Sequence, residues 1–316
     1  MSNSTISSSI AASGSVPAQS AGVPAATNTV SAGAITLSGL SVSYGDRTII
    51  PHLDASIPGG AVTTIIGPNG CGKSTMLRAA AQLITSSGSI FLDDVDVRSL
   101  RRKELARRIG VLPQSPVAPP GVVVSDLVAR GRHPHQSWFR QWSSDDEEEV
   151  ARALELTHVA ELADRPVASL SGGQRQRVWI SMVLAQDTEV LFLDEPTTYL
   201  DLSHSIEVLN LVTELKHRLG RTIVMVLHDL NLAARYSDHV IVMAEGKVTA
   251  AGKPSEVLTE ELLQSSFGLD ATVIDDPECA WSPLIVPRKP AVLGSGGTPP
   301  RPLVEVVPGE RLESLT

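Results

Sequence analysis

Short runs of apolar and β-branched residues alternate along most of this chain with amphipathic stretches of helical period. That is the pattern of an α/β domain built on a largely parallel sheet. Three runs read as core strands: Ala61-Val62-Thr63-Thr64-Ile65-Ile66, Val190-Leu191-Phe192-Leu193 and Thr222-Ile223-Val224-Met225-Val226-Leu227. Each is short, apolar and followed by a polar or glycine-rich turn, as a strand covered on both faces should be. From about Asp126 to Leu162 the pattern changes to helices without strands, with Ser143 or Ser144 placed to cap a helix whose first turn, Asp145 to Glu149, is acidic. A helical subdomain inserted over about residues 115–186 is predicted, and no internal repeat is visible.

Composition narrows the classes. Of 316 residues 42% are hydrophobic, yet no run approaches the roughly eighteen uninterrupted apolar residues that a membrane-spanning helix requires. The formal charge of −9 offers no general attraction to nucleic acid or anionic lipid, so membrane association is expected only through a protein partner. Cys71 and Cys279 are far apart and lack CxxC spacing, which argues against a disulfide framework or zinc cluster and fits a reducing, cytoplasmic setting. Residues 1–33 are a Ser/Ala/Thr/Gly mixture without a charged side chain, expected to be a disordered tail, and they match neither a secretory nor a mitochondrial leader. A second loose tail is expected from about Pro287, over residues 288–316, where Pro and Gly accumulate. The domain between them spans residues 34–287.

The strongest local signal follows the first strand. Gly67-Pro68-Asn69-Gly70-Cys71-Gly72-Lys73-Ser74-Thr75 is a full match to G-x-x-x-x-G-K-[ST] between a strand and a helix. Its glycines let backbone N–H groups point inward, and the helix N-terminus near Lys73 adds positive potential, so the loop is built for polyphosphate. Lys73 neutralises the β- and γ-phosphates of ATP and Ser74 offers a hydroxyl to Mg²⁺. Cys71 contributes backbone here, and a reactive-thiol role is the weaker reading.

Asp194 and Glu195 end the second strand run at the edge where open α/β sheets bind ligands. Since adjacent strand residues point to opposite sides, Asp194 is expected to face the metal beside Ser74 and Glu195 the position of an attacking water. Taken alone, two solvated turn acids before Pro196 would explain the pair equally well. A phosphate loop in the same chain favours the catalytic reading.

Leu170-Ser171-Gly172-Gly173-Gln174 opens a further helix with a second anion-binding end. One ATP does not need two such cradles. An LSGGQ element between a phosphate loop and an acidic strand end resembles the ABC ATPases, over roughly Ile35 to Ile274. The resemblance implies a P-loop NTPase fold with a parallel core sheet, an N-terminal antiparallel β subdomain and the helical insertion. It also implies that Ser171, Gly172, Gly173 and Gln174 complete the ATP site of a second copy of the chain. By the same resemblance Tyr44 stacks on adenine, and Gln114 approaches Mg²⁺ and links the ATPase to transmembrane permease subunits. Asp201 meets its counterpart across the dimer, and His228 is the switch histidine at the γ-phosphate.

Pro196 to His204, Arg177-Val178-Trp179-Ile180 and Arg130-Gly131-Arg132-His133-Pro134-His135 are similar to the ATPases of bacterial ferric-siderophore importers, with vitamin B12 and haem importers close behind. This implies an ATP hydrolase on the cytoplasmic face of the membrane, served indirectly by a substrate-binding protein. A non-transport ABC ATPase acting on DNA or ribosomes would carry a long coiled coil or two ATPase domains, and a P-loop kinase or GTPase would not carry LSGGQ. Arg98, Arg101, Arg102, Lys103, Arg107 and Arg108 read as one solvated helix face with Glu104 paired to Arg108, not as a nucleic-acid patch. His133 and His135 lack a nearby third ligand for a metal.

Overall fold

The computed structural model describes residues 33–136 and 142–290, so the expectation for residues 1–33 falls, but for Gly33, outside the described residues. β1 (Ile35–Tyr44) and β2 (Arg47–Ile57) form a hairpin, and β3 (Val62–Ile66) leads into α1 (Lys73–Ala80). β4 (Ser87–Leu92), β5 (Val95–Asp96), α2 (Arg102–Leu105) and β6 (Ile109–Leu112) follow. α3 (Val124–Ala129), α4 (Ser144–Leu156) and α5 (Gly172–Ala185) make up the helical insertion. The frame resumes with β7 (Val190–Asp194), α6 (Leu202–Leu219), β8 (Thr222–Val226), α7 (Leu230–Tyr236), β9 (His239–Ala244) and β10 (Lys247–Gly252). α8 (Pro254–Val257), α9 (Glu260–Phe267) and a hairpin of β11 (Leu269–Asp276) with β12 (Cys279–Pro290) come last.

The central sheet has the order β10-β9-β3-β8-β7-β6, parallel throughout except for the antiparallel edge strand β10. Alternate residues of its strands enter two different cores. Leu191, Leu193, Ile223 and Met225 pack with the helical insertion and with α6 and α7. Val190, Phe192, Val224 and Val226 pack with α1 and the antiparallel sheet of order β2-β1-β4-β5. Burial on both faces is why β3, β7 and β8 read as unbroken apolar runs. β1 instead alternates buried and exposed positions, the mark of a sheet with one wet face.

Capping sets the helix boundaries. The Ser143 hydroxyl accepts the Asp146 N–H and the Asp146 carboxylate accepts the Ser143 N–H, so Ser143 caps α4, and the acids of its first turn complement the helix dipole. α6 starts at the Asp201 cap and stops at Gly220, whose φ of 63° only glycine adopts at little cost, after a basic last turn of Lys216, His217 and Arg218. In the insertion, buried Arg132 donates to Asp146 at 2.8 Å and to the Ala185 carbonyl at 2.9 Å, tying α4 to the end of α5.

Two expectations change. β12 runs to Pro290, three residues beyond the boundary drawn at 287, because its residues pair with β11 back to Leu269; the rest of the expected C-terminal tail lies outside the described residues. The basic cluster is not one helix face, since α2 is only four residues long. Glu104 pairs with Arg101 at 2.6 Å, while Arg108 turns away to Asp93 and Glu189. Lys103 and Arg107 donate to the carbonyls of Gln136 and Pro134 and so brace the insertion.

Candidate active site

The loops after β3, β6, β7 and β8 all leave the C-terminal edge of the parallel sheet, so residues far apart in sequence converge there. The loop after β3 bends at Gly67, where φ is 151° and a Cβ would stand 2.1 Å from the Met243 carbonyl oxygen. Only glycine fits there. Gly72 caps α1 with φ 107°, aiming the first turn of that helix at the loop interior. Lys73 folds back over the loop, its Nζ donating to the carbonyls of Gly67 at 2.8 Å and Pro68 at 3.0 Å. Cys71 is buried beneath the loop, and burial pushes its thiol up, only partly offset by Lys73. A neutral buried thiol is inert, in keeping with a backbone role.

A cleft of about 330 Å³ lies over this loop, lined by Tyr44, Arg47, Ile49, Asn69, Gly70, Gly72, Lys73, Ser74, Thr75, Glu195 and His228. Tyr44 ends β1 with about half its surface open. An aromatic wall, a floor of backbone N–H groups and a lysine are what a nucleoside polyphosphate requires.

The two carboxylates separate by a route other than strand alternation. β7 ends at Asp194, and Glu195 takes a left-handed φ of 55°, so the backbone has already turned when Glu195 projects. This corrects the expectation of two consecutive strand residues. Asp194 is almost fully buried; its Oδ1 accepts the Ser74 hydroxyl at 2.7 Å and its Oδ2 faces Arg78 at 3.5 Å. Burial pushes the Asp194 carboxyl up, against the pull of Ser74 and Arg78. Glu195 Oε2 accepts from Gln114 Nε2 at 2.6 Å and from the Thr198 hydroxyl at 2.8 Å, and Oε1 lies 2.7 Å from His228 Nε2. Burial would raise this carboxyl too, but Thr198, His228 and Gln114 outweigh it and hold it below the usual glutamate range. Glu195 is therefore ionised, and His228 donates from Nε2.

The donor set around Ser74 and Asp194 is hard oxygen, one hydroxyl and one buried carboxylate, which suits Mg²⁺ bound together with phosphate oxygens. Arg78 and Thr198 were not singled out from sequence. Arg78 lies four residues after Ser74, on the same face of α1, and that spacing was the available signal.

Not every predicted residue joins the cleft. Ser171 caps α5, its hydroxyl accepting the Gln174 N–H at 3.3 Å while Gln174 Oε1 accepts the Ser171 N–H at 3.1 Å. Ser171 and Gly172 are exposed, and none of Ser171 to Gln174 lines the cleft of their own chain. Asp201 is exposed at the start of α6 and also stands outside it. His135 does not face a ligand cluster: its Nε2 lies 2.7 Å from the Gln186 carbonyl oxygen. Among the described residues no helix is long and apolar enough to cross a membrane.

Residues 50–198 match the family described as ABC transporter. The ferric enterobactin transport ATP-binding protein FepC of Escherichia coli K12 is 50% identical over 249 residues, 78% of this chain and 92% of that protein. The cobalamin import ATP-binding protein BtuD of Halobacterium salinarum is 41% identical over 244 residues, 77% of this chain but 61% of that protein. Among solved structures, an inward-facing ABC transporter described as of metal-chelate type superposes with a TM-score of 0.70 at 27% identity, covering 83% of this chain and 99% of the other.

Proposed function

Because the chain belongs to the ABC transporter family as one of its ATP-binding subunits, we propose that it hydrolyses Mg²⁺-ATP to drive import of ferric-siderophore complexes through separate permease subunits. The observation that carries the hydrolytic reading is the carboxylate of Glu195, ionised and held by Gln114, Thr198 and His228 on the wall of the cleft over the phosphate loop. In this reading Tyr44 stacks on adenine and the loop from Gly67 to Thr75 wraps the phosphates. Lys73 leaves the carbonyls of Gly67 and Pro68 for the β- and γ-phosphates. Glu195 accepts the proton of the attacking water, and His228, donating from Nε2, orients the carboxylate on the γ-phosphate side of the cleft.

Ser74 and Asp194, with Gln114, would hold Mg²⁺, which would supply charge neutralisation at the phosphates. The exposed Ser171-Gly172 start of α5 supports completion of the site by a second copy, since it does not line the cleft of its own chain. Asp201 meets the same partner. Docking on permease subunits places the chain on the cytoplasmic face of the membrane, with a substrate-binding protein delivering cargo from the other side.

The identity to the ferric enterobactin relative, 50% against 41% for the cobalamin one, favours iron-siderophore cargo over vitamin B12. Uptake of ⁵⁵Fe-loaded siderophores and of labelled cobalamin, compared in cells carrying the native or the Glu195→Gln chain, tests this. Loss of iron uptake with cobalamin uptake intact is expected. The reverse would overturn the cargo assignment.

A further inference from the structure

We propose that His204, together with Leu200, is a positioning residue that clamps the Asp201 loop onto the Gly172-Gly173 end of α5, so that both partner-facing surfaces and Glu195 move as one body. The inference rests on the two-copy reading above.

Two glycines of the signature each lie under one side chain of the Leu200–His204 segment. A Cβ on Gly173 would stand 2.4 Å from His204 Cδ2, so the imidazole occupies the space that any other residue at 173 would fill. A Cβ on Gly172 would reach 3.4 Å from Leu200 Cδ2, so Leu200 covers the neighbouring position. The same imidazole holds the loop from its other side: His204 Nδ1 lies 2.8 Å from Asp201 Oδ1, which also accepts the His204 N–H at 2.8 Å. Those hydrogen bonds keep the Asp201 carboxyl low, so it is an acceptor and Nδ1 is the donor.

The segment is continuous with the catalytic carboxylate. The Thr198 N–H donates to the Glu195 carbonyl at 3.2 Å, the Leu200 N–H to the Thr197 carbonyl at 3.2 Å, and Tyr199 between them is held at a φ of 66°. A turn this tightly bonded, with a left-handed residue at each of Glu195 and Tyr199, has little freedom to flex. A displacement of α5 by the partner's nucleotide therefore reaches Asp201 through His204 and Glu195 through the turn.

The test uses the full chain carrying Glu195→Gln, so that nucleotide is not consumed. ATP-dependent dimerisation is measured by sedimentation, and ATP affinity by titration of the dilute chain. His204→Ala should weaken the dimer by about tenfold, as one hydrogen bond of about threefold is lost in each of two copies. ATP affinity should stay within about twofold, because the phosphate loop is untouched. His204→Asn, whose amide nitrogen on Cγ replaces Nδ1, should recover most of the loss. Unchanged dimerisation in His204→Ala, no recovery in His204→Asn, or a parallel fall in ATP affinity would each overturn the clamp. Hydrogen exchange on the isolated chain reads the clamp without any dimer: His204→Ala should speed exchange at both 172–175 and 200–204, and a change confined to one segment refutes the coupling. A parent chain that fails to dimerise with ATP yet shows that joint exchange response would sink the two-copy reading and leave the clamp standing.

Discussion

Replacing Glu195 by Gln removes one negative charge while leaving every neighbour a partner, which makes it the sharpest probe of the site. Oε2 accepts from two donors, Gln114 Nε2 and the Thr198 hydroxyl, so the new amide must present its oxygen there. Its NH₂ then faces His228 Nε2, which has to become an acceptor, with the ring proton moved to Nδ1. Hydrogen bonds are conserved in number and weakened in strength, and stability should change by no more than about 1 kcal/mol, roughly 2–4 °C in melting temperature for a domain of this size. Catalysis should change far more. A positioned general base contributes about 10²–10⁴-fold, or about 3–5 kcal/mol of barrier. ATP turnover, ATP affinity by calorimetry and thermal melting would be measured on one preparation. Binding and melting close to the native chain with turnover reduced at least a hundredfold is the expected triad. Turnover within tenfold of native in a folded, ATP-binding variant would remove Glu195 from the chemistry.

Lys73→Ala should weaken ATP binding by about 10–100-fold, the worth of charge-assisted hydrogen bonds to phosphate, with the circular dichroism spectrum intact; calorimetry showing native affinity would contradict the role of Lys73. Asp146→Asn should cost about 3–5 kcal/mol, because it leaves Arg132 buried without its anion, and so lower the melting temperature by roughly 6–20 °C. The Asp146 carboxyl, raised by burial but pulled further down by Arg132 and Ser143, sits below its ordinary 3.8. A depressed carboxylate stabilises the fold above its unfolded value and loses that contribution as pH falls through the folded one, so the Asn variant should show a flatter melting-temperature profile below about pH 4 than the native chain.

What could be read in the sequence was what local patterning encodes. β3, β7 and β8 stood out because strands buried on both faces have no polar alternation, and the loop after β3 because its glycines are forced by close approach, as at Gly67 against Met243. The left-handed turn at Glu195 was hidden, since no Gly or Asn marks it; the backbone is closed there by the local bond from the Thr198 N–H to the Glu195 carbonyl, and a backbone N–H has no sequence signature. The partners of the basic cluster were hidden for another reason. Lys103 and Arg107 bind backbone carbonyls near residue 135, and a carbonyl has no sequence signature. His204 could have been noticed three residues after a capping aspartate, but its second contact, on Gly173, is purely tertiary.

The turn at Glu195 also explains how one dipeptide supplies two different carboxylates. Had both residues remained on β7, alternation would have sent one side chain into each of the two cores, where neither could reach water and metal at once. Ending the strand at Asp194 keeps that residue buried beside Ser74, where desolvation raises its carboxyl and a bound divalent cation would offset the buried charge. Turning the chain at Glu195 carries the second carboxylate into a ring of donors, Thr198, His228 and Gln114, that lower it, as the base proposed above requires. Neighbouring groups pushed in opposite directions by their surroundings are how acid–base roles are divided at neutral pH. In the proposed mechanism the division depends on one backbone angle, so the strain of a left-handed glutamate, of order 1 kcal/mol, is the structural cost of having the proposed metal ligand and the proposed base adjacent in sequence.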